Sequence, residues 1–142
     1  MPASTHVKHT AAQAQHLANS GVITAPGQSM TEAMALLSAA RNAAYADAAR
    51  GELGRSVTLL LRALATQPMS YELQSDMGAM LLAAGEYAHA ASYARSALNT
   101  LPHHGPSLYT LGFALSGLGE AAEAQAALRR LSRGKDLRIL TS

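Results

Sequence analysis

The sequence predicts an all-α protein, a solenoid of three similar helix-turn-helix units, on the basis of three observations. The dipeptide Gly-Glu recurs every 34 residues, as Gly51-Glu52, Gly85-Glu86 and Gly119-Glu120. Small residues recur at fixed distances around each glycine. Hydrophobic residues make up 49% of the chain, but only 4% of the residues are aromatic, which suits closely packed helices. A fixed period of this kind is typical of a helical repeat array.

Helix geometry assigns a role to the repeated positions. Glycine just past the first helix lets the chain reverse, because it reaches the left-handed C-cap conformation without steric penalty. The glutamate that follows is expected in the first turn of the second helix, where the helix dipole favours a negative charge. Gly78 with Ala90, and Gly112 with Ala124, are expected on facing surfaces, where small side chains allow close approach.

These positions resemble the tetratricopeptide repeat, whose pattern combines a small residue, a turn glycine, two alanines and a closing proline. Residues 71–104 fill the pattern, and residues 37–70 and 105–138 fill it in part. The resemblance implies a right-handed α-solenoid whose first helices line a concave, protein-binding face. The residues that fill the pattern in the central copy are Gly78, Gly85, Ala90, Ala97 and Pro102.

Six helices are expected in order. The first begins at a capping box with Ser29 as N-cap and Glu32 reaching back, and it runs to about Arg50, longer than the other first helices. The next three are expected near residues 53–66, 70–84 and 87–100, and the sixth over 121–133. The fifth is expected to have Pro106 in its first turn and to reach about Leu118. The residues expected to be buried in the second helix are Val57, Leu60, Leu61 and Leu64.

Three regions are expected along the chain. Residues 1–28 are either a flexible leader or a docking arm that orders on a partner. Residues 29–134 form the repeat domain. Residues 135–142 form a short tail, too short for the full capping helix that such arrays need. Either this tail folds back on the last repeat or the open end meets another chain, which favours a protein partner or a homodimer.

The composition argues against several function classes. No cysteine is present, so disulfides and thiolate chemistry are excluded, and no catalytic or phosphate-binding motif occurs. We therefore expect neither an enzyme nor a cofactor. No apolar run approaches the ~20 residues that cross a bilayer, and no secretory signal is evident, which predicts a cytoplasmic protein without membrane insertion. The high alanine and arginine content favours a bacterial source.

The histidines and the C-terminal cations are considered as possible binding residues. The six histidines show no metal-ligand spacing, and His103 and His104 are expected to be exposed in a loop. Residues 129–142 carry a net charge of +4, which either complements the dipole of the last helix or marks an anionic partner. Because no aromatic residue is interleaved with these charges, nucleic acid is not expected as a partner.

The resemblance places a candidate client-binding groove on the first helices. Tyr109 and Phe113 are expected either to line this groove or to pack in the core. One branch of the family grips a terminal carboxylate with Lys and Asn, where this chain has Arg41 and Tyr45, so that mode is disfavoured. Glu72 also falls on this face. The candidate groove residues are Arg41, Tyr45, Ser75, Ala79, Leu82, Tyr109, Phe113 and Ser116.

Two further apolar stripes are candidate partner ledges. Met30, Met34 and Leu37 recur at helical spacing on the extended first helix, either as core residues or as an exposed ledge with adaptable methionines. Leu137 and Ile139 lie in the C-terminal tail.

These observations favour a non-enzymatic binding protein that holds an apolar or amphipathic segment of a client. Small three-repeat proteins of this kind resemble the chaperones of bacterial type III secretion, and residues 128–139 are similar to the end of the needle-subunit chaperone. A co-chaperone or homodimer partner is compatible with this interpretation. The alternative is a structural adaptor that assembles a complex or a homo-oligomer through its open C-terminal end.

Overall fold

The computed structural model describes the backbone of residues 26–141 and the side chains of residues 30–134. Within that range the chain forms α-helices and no strands, so the all-α solenoid prediction is confirmed. The expected leader falls mainly in residues 1–25, outside the described residues. The helices are α1 (Pro26–Ala49), α2 (Leu53–Thr66), α3 (Tyr71–Ala83), α4 (Tyr87–Thr100), α5 (Gly105–Gly117) and α6 (Ala121–Thr141).

The chain divides into two compact units, residues 1–38 and residues 39–142. The described part of the first unit is the N-terminal part of α1, whose side chains are mostly exposed. In the second unit each helix from α2 onward packs against the next, and α3 also packs against α5. The first helices of the second and third repeats, α3 and α5, therefore lie side by side, as a solenoid requires.

Two helix ends differ from the predictions. The first helix begins at Pro26, so Ser29 lies inside the helix and the expected capping box is wrong. Proline suits a first helical turn because its fixed φ is already helical and its missing N–H would have no partner there. The last helix continues through Gly134 to Thr141, since a single glycine costs only about 1 kcal/mol and no proline follows it.

Each repeat reverses at its glycine, as expected. Gly51, Gly85 and Gly119 have φ values of 80°, 78° and 82°. At the central turn the N–H of Gly85 donates to the carbonyl of Leu82 at 3.0 Å, and the N–H of Glu86 donates to that of Leu81 at 2.8 Å. These two hydrogen bonds form the Schellman motif, which satisfies carbonyl groups at a helix C-terminus.

The glutamate after each glycine is placed differently from the prediction. Glu52 and Glu86 are the N-cap residues of α2 and α4, not first-turn residues, and their side chains make no capping hydrogen bond. The Schellman motif uses the glutamate N–H to close the preceding helix. Each glutamate therefore lies one residue before the second helix, which begins at the residue expected.

Small residues bring the helices of the second unit close together. A Cβ added at Gly78 would lie 3.3 Å from the carbonyl oxygen of Ala90 and 3.2 Å from Cγ2 of Thr110, which confirms the predicted contact with Ala90. At Gly112 the nearest atoms belong to Leu128 of α6. The core between α4, α5 and α6 consists of Ala90, Ala91, Ala94, Leu98, Leu108, Leu111, Ala114, Leu115, Ala124 and Ala127.

The buried face of α2 is narrower than predicted. Leu60 is fully buried, and Val57 and Leu64 are half-buried. Leu61, however, is 46% exposed, because the residue after Leu60 points about 100° around the helix, away from α3.

We expect Gly85→Ala to lower the free energy of unfolding by about 1–2 kcal/mol, because a side chain with Cβ is strained in the left-handed region. No atom lies within 4 Å of the added Cβ, so the loss reports backbone conformation alone. Chemical denaturation followed by circular dichroism measures it.

Gly54→Ala is the matched control for this substitution. Its added Cβ also meets no atom within 4 Å, but Gly54 lacks a positive φ and lies in a helix. There alanine should stabilise by about 0.5–1 kcal/mol. A loss of stability at Gly54 equal to that at Gly85 would contradict the conformational explanation.

Candidate functional site

The candidate groove residues lie on α1, α3 and α5, the first helices of the three repeats, and we call the exposed surface of these helices the first-helix face. Tyr109 and Phe113 of α5 lie on it, and their side chains are 51% and 46% exposed. Their ring centroids are 4.6 Å apart with the planes inclined by 42°. The alternative that both aromatic residues pack in the core is therefore wrong. An exposed pair of aromatic side chains in contact is a candidate interaction surface.

The other candidate groove residues vary in exposure. Tyr45 is 45% exposed, and Ser116 is also exposed. Arg41, Ala79 and Leu82 are half-buried, whereas Ser75 is buried between helices. Ser75 is therefore less accessible to a client than the prediction required. That the candidate groove residues bind a client stays a prediction.

A polar network joins α1 to α3 on this face. The carboxylate of Asp76, whose side chain is 3% exposed, accepts from Nε of Arg41 at 2.6 Å and from the hydroxyl of Tyr45 at 2.8 Å. A second Arg41 nitrogen donates to the same carboxylate at 3.3 Å. Arg41 also donates to Glu72 at 3.1 Å. Charge-assisted hydrogen bonds of this kind fix the guanidinium plane.

The network shifts the ionisation of its members. The hydrogen bond to Asp76 raises the pKa of the Arg41 guanidinium above its ordinary value. Burial, together with the hydrogen bond to Asp76, raises the pKa of Tyr45 to about 12. At neutral pH, Arg41 is therefore a cation held by two carboxylates, and Tyr45 is a neutral hydrogen-bond donor.

His104 links this network to α5; it lies in the turn before that helix, as predicted, but the prediction that it is exposed is wrong. His104 is the N-cap of α5 and is half-buried. Its Nδ1 lies 2.8 Å from Oγ of Ser107, and its ring meets that of Tyr71 edge-on at 5.3 Å. Burial, and next the positive charge of Arg41, lower the pKa of the imidazole. His103, in contrast, is exposed as expected.

The role of Asp76 was not predicted from the sequence. The signal that could have found it is its place in the repeat, since the equivalent residues are Asn42 and Thr110 and the latter is buried against Gly78. A carboxylate at a buried position needs a partner. The nearest candidate was Arg41, one repeat earlier on the neighbouring helix.

The two predicted ledges have different outcomes. Met30 and Met34 are 67% and 66% exposed, which removes the core alternative for both, while Leu37 is half-buried. The side chains of Leu137 and Ile139 lie outside the described residues. The backbone there is helical rather than a separate tail.

The C-terminal arginines remain on the surface as far as they are described. Arg129, Arg130 and Arg133 are all exposed. Arg130 donates to the carbonyl oxygen of Pro102, and Arg129 donates to Gln125 at 3.5 Å. Within the described part of the chain no helix is long and apolar enough to cross a bilayer. No cluster of candidate metal ligands occurs among the same residues.

Comparisons with known proteins agree with the fold. Residues 81–136 match the model of the tetratricopeptide repeat family. The second TPR of Spaghetti (RPAP3), bound to the HSP90 peptide SRMEEVD, is similar with a TM-score of 0.67 and 15% identity, over 73% of this chain and 95% of that chain. No curated protein sequence matches significantly.

Two MamA structures are also similar. MamA AMB-1 has a TM-score of 0.62 and 18% identity, over 68% of this chain and 53% of that chain. The MamA R50E mutant has a TM-score of 0.61 and 19% identity, over 83% of this chain and 92% of that chain. At these identities the likeness shows a shared fold. A repeat fold of this kind indicates a protein–protein interaction module.

We expect Asp76→Asn to lower the free energy of unfolding by about 1–3 kcal/mol, because Arg41 loses its charged partner. The value is below that of a fully buried pair, since the Arg41 side chain is 36% exposed and solvent screens it. Urea denaturation measures the change. Glu123→Gln, which breaks the exposed pair with Arg95 at 3.1 Å, is the control and should cost at most about 0.5 kcal/mol.

We expect His104 to titrate below its ordinary pKa of about 6.5, which an NMR titration of its ring protons measures. Because the folded pKa is depressed, its contribution to stability is complete above about pH 6.5 and is lost as the pH falls toward the folded pKa. His104→Gln should therefore lose less stability than the unsubstituted protein over that acidic interval. Equal losses would contradict the assignment.

Proposed function

We propose that this tetratricopeptide-repeat protein is a non-enzymatic binding module that holds an apolar segment of another protein against Tyr109 and Phe113. The observation that carries the proposal is the exposure of this aromatic pair on the first-helix face. Aromatic side chains are the commonest anchors of protein interfaces, since they bury a large area at a small cost in conformational entropy. Amphipathic helices dock their apolar faces in grooves of this character.

The surroundings of the pair support an apolar occupant. The α5 sequence contains no charged residue, and Ala79 and Leu82 of the neighbouring α3 are half-buried. Small and apolar side chains leave room for a segment to approach the backbone. The Spaghetti (RPAP3) repeat also holds a peptide, which supports a peptide or protein partner for this chain.

Within that role, we propose a bacterial cytoplasmic chaperone that keeps an apolar subunit of type III secretion soluble before export. The support is the three-repeat architecture and the stretch at residues 128–139, which is similar to the end of the needle-subunit chaperone. Co-expression with a needle or translocator subunit tests this assignment. The subunit should move from the insoluble to the soluble fraction, and it should not do so with the Tyr109→Ala/Phe113→Ala variant.

The adaptor function is the second candidate, and a feature of α6 favours it. A shallow depression of about 350 Å³ on this helix is lined by Gln125, Leu128, Arg129 and Ser132. It lies on the last helix of the array, where a further repeat or another chain would pack. Loss of assembly on changing Leu137 or Ile139, with Tyr109→Ala/Phe113→Ala without effect, would favour the adaptor over the client-binding module.

We expect Tyr109→Ala/Phe113→Ala to weaken binding of an apolar helical peptide at least tenfold, because each anchor is worth on the order of 1–2 kcal/mol. A fluorescein-labelled peptide of leucine, alanine and glutamine, followed by fluorescence anisotropy, is the probe. Circular dichroism should show unchanged helicity, since both side chains lie outside the core.

Leu61→Ala is the matched control. Leu61 has the same exposure as Phe113, 46%, but it lies on a second helix of the array, away from the first-helix face. Its substitution should leave the peptide affinity unchanged. Equal weakening by both variants would contradict the proposed site, and so would no weakening by either.

A further inference from the structure

We infer that the apolar segment held on the first-helix face carries lysine or arginine beside its apolar residues and carries no acidic group there. This inference rests on the proposed function and adds the charge of the partner. It depends on how the charges of α1, α3 and α5 are distributed and on which of them are already engaged.

The first-helix face has an excess of negative charge. From residue 39 onward, α1, α3 and α5 contain one cation, Arg41, and three carboxylates, those of Asp47, Glu72 and Asp76. Asp47 is buried and pairs with Arg50, so it adds little to this surface. The remaining three charges form the network described above, and they sum to one negative charge.

The single cation is not available to an anionic partner. Arg41 donates to both oxygens of Asp76, at 2.6 Å and 3.3 Å, and to Oε2 of Glu72 at 3.1 Å. An acidic client would have to draw Arg41 away from a carboxylate whose side chain is 3% exposed. Leaving a buried carboxylate without its partner costs several kcal/mol, more than one new surface pair returns.

The negative charge lies where a client can reach it. The Glu72 side chain is 35% exposed, whereas that of Asp76 is 3% exposed. The excess charge is therefore presented to solvent mainly by Glu72, at the first turn of α3. A lysine or arginine of a client would meet Glu72 without disturbing the buried pair.

The network and the aromatic pair belong to one continuous part of the second unit. Tyr71, next to Glu72, packs its ring against His104 at the start of α5. Thr110, next to Tyr109, packs against Gly78 of α3. Because α3 and α5 pack together, a segment seated on Tyr109 and Phe113 would pass beside α3, the helix that carries Glu72 and Asp76. The faces of the exposed aromatic rings also attract cations.

Three helical peptides with one leucine-alanine frame test the inference, with glutamine, lysine or glutamate at the same solvent-side positions. Fluorescence anisotropy at low salt should show the lysine peptide binding at least tenfold more tightly than the glutamate peptide. The difference should shrink as salt is raised, because exposed charges are screened. The acidic peptide SRMEEVD, which the Spaghetti (RPAP3) repeat binds, should bind no better than the glutamate peptide.

Substitution of Glu72 locates the effect. Glu72→Lys should make the glutamate peptide bind more tightly than the lysine peptide. The milder Glu72→Gln should reduce the ratio of the two affinities by about threefold or more. Glu123→Lys is the charge-matched control, since Glu123 is exposed on a second helix of the array, paired with Arg95. It should leave the order unchanged.

The outcomes separate this inference from the proposed function. If the glutamine peptide binds and depends on Tyr109 and Phe113, the binding site stands. Equal affinity for the lysine and glutamate peptides, or tighter binding of the glutamate peptide, would then overturn the inference alone. If none of the three peptides binds, the proposed function fails, and the inference fails with it.

Discussion

The left-handed reversal at the glycine of each repeat is the constraint on which the rest of the structure depends. Gly51, Gly85 and Gly119 end the first helices at φ values near 80°, and the two backbone bonds of the Schellman motif close each of these helices. The second helix of each pair then returns against the first at a fixed register. Because the same turn recurs every 34 residues, equivalent side chains reach equivalent faces in every repeat.

Given that register, small residues decide how closely the helices pack. Gly78 approaches the backbone of α4 at Ala90, where any larger side chain would displace a carbonyl group. The first repeat departs from this rule, since Ser56 stands where the other repeats have Ala90 and Ala124. Its hydroxyl is fully buried and has no hydrogen-bond partner, which is unfavourable because a buried polar group loses its hydration.

The first-helix face combines two kinds of surface, because neighbouring repeats contribute different side chains at equivalent positions. Arg41, Ser75 and Tyr109 are equivalent in the repeat, yet Arg41 is held in an ion pair, Ser75 is buried and Tyr109 is exposed. Among the residues from 39 onward in α1, α3 and α5, Arg41 is the only cation, and the ion pair makes it part of a net negative cluster. The apolar area of this face comes from the exposed aromatic pair of the third repeat, Tyr109 and Phe113. Charge and apolarity are therefore set by separate repeats of one array.

The sequence by itself determined the helices, their order and the reversals, because these depend on residues close together in the chain. The limits of α2 and α4 were predicted to the residue, and the resemblance to the repeat family placed Tyr109 and Phe113 on one surface. Two features depended on the tertiary structure. One is the exposure of those rings, and the other is the pairing of Arg41 with Glu72 and Asp76, which lie 31 and 35 residues away in the chain. Such pairings depend on the packing of whole helices, since only there do a buried carboxylate and a distant guanidinium meet.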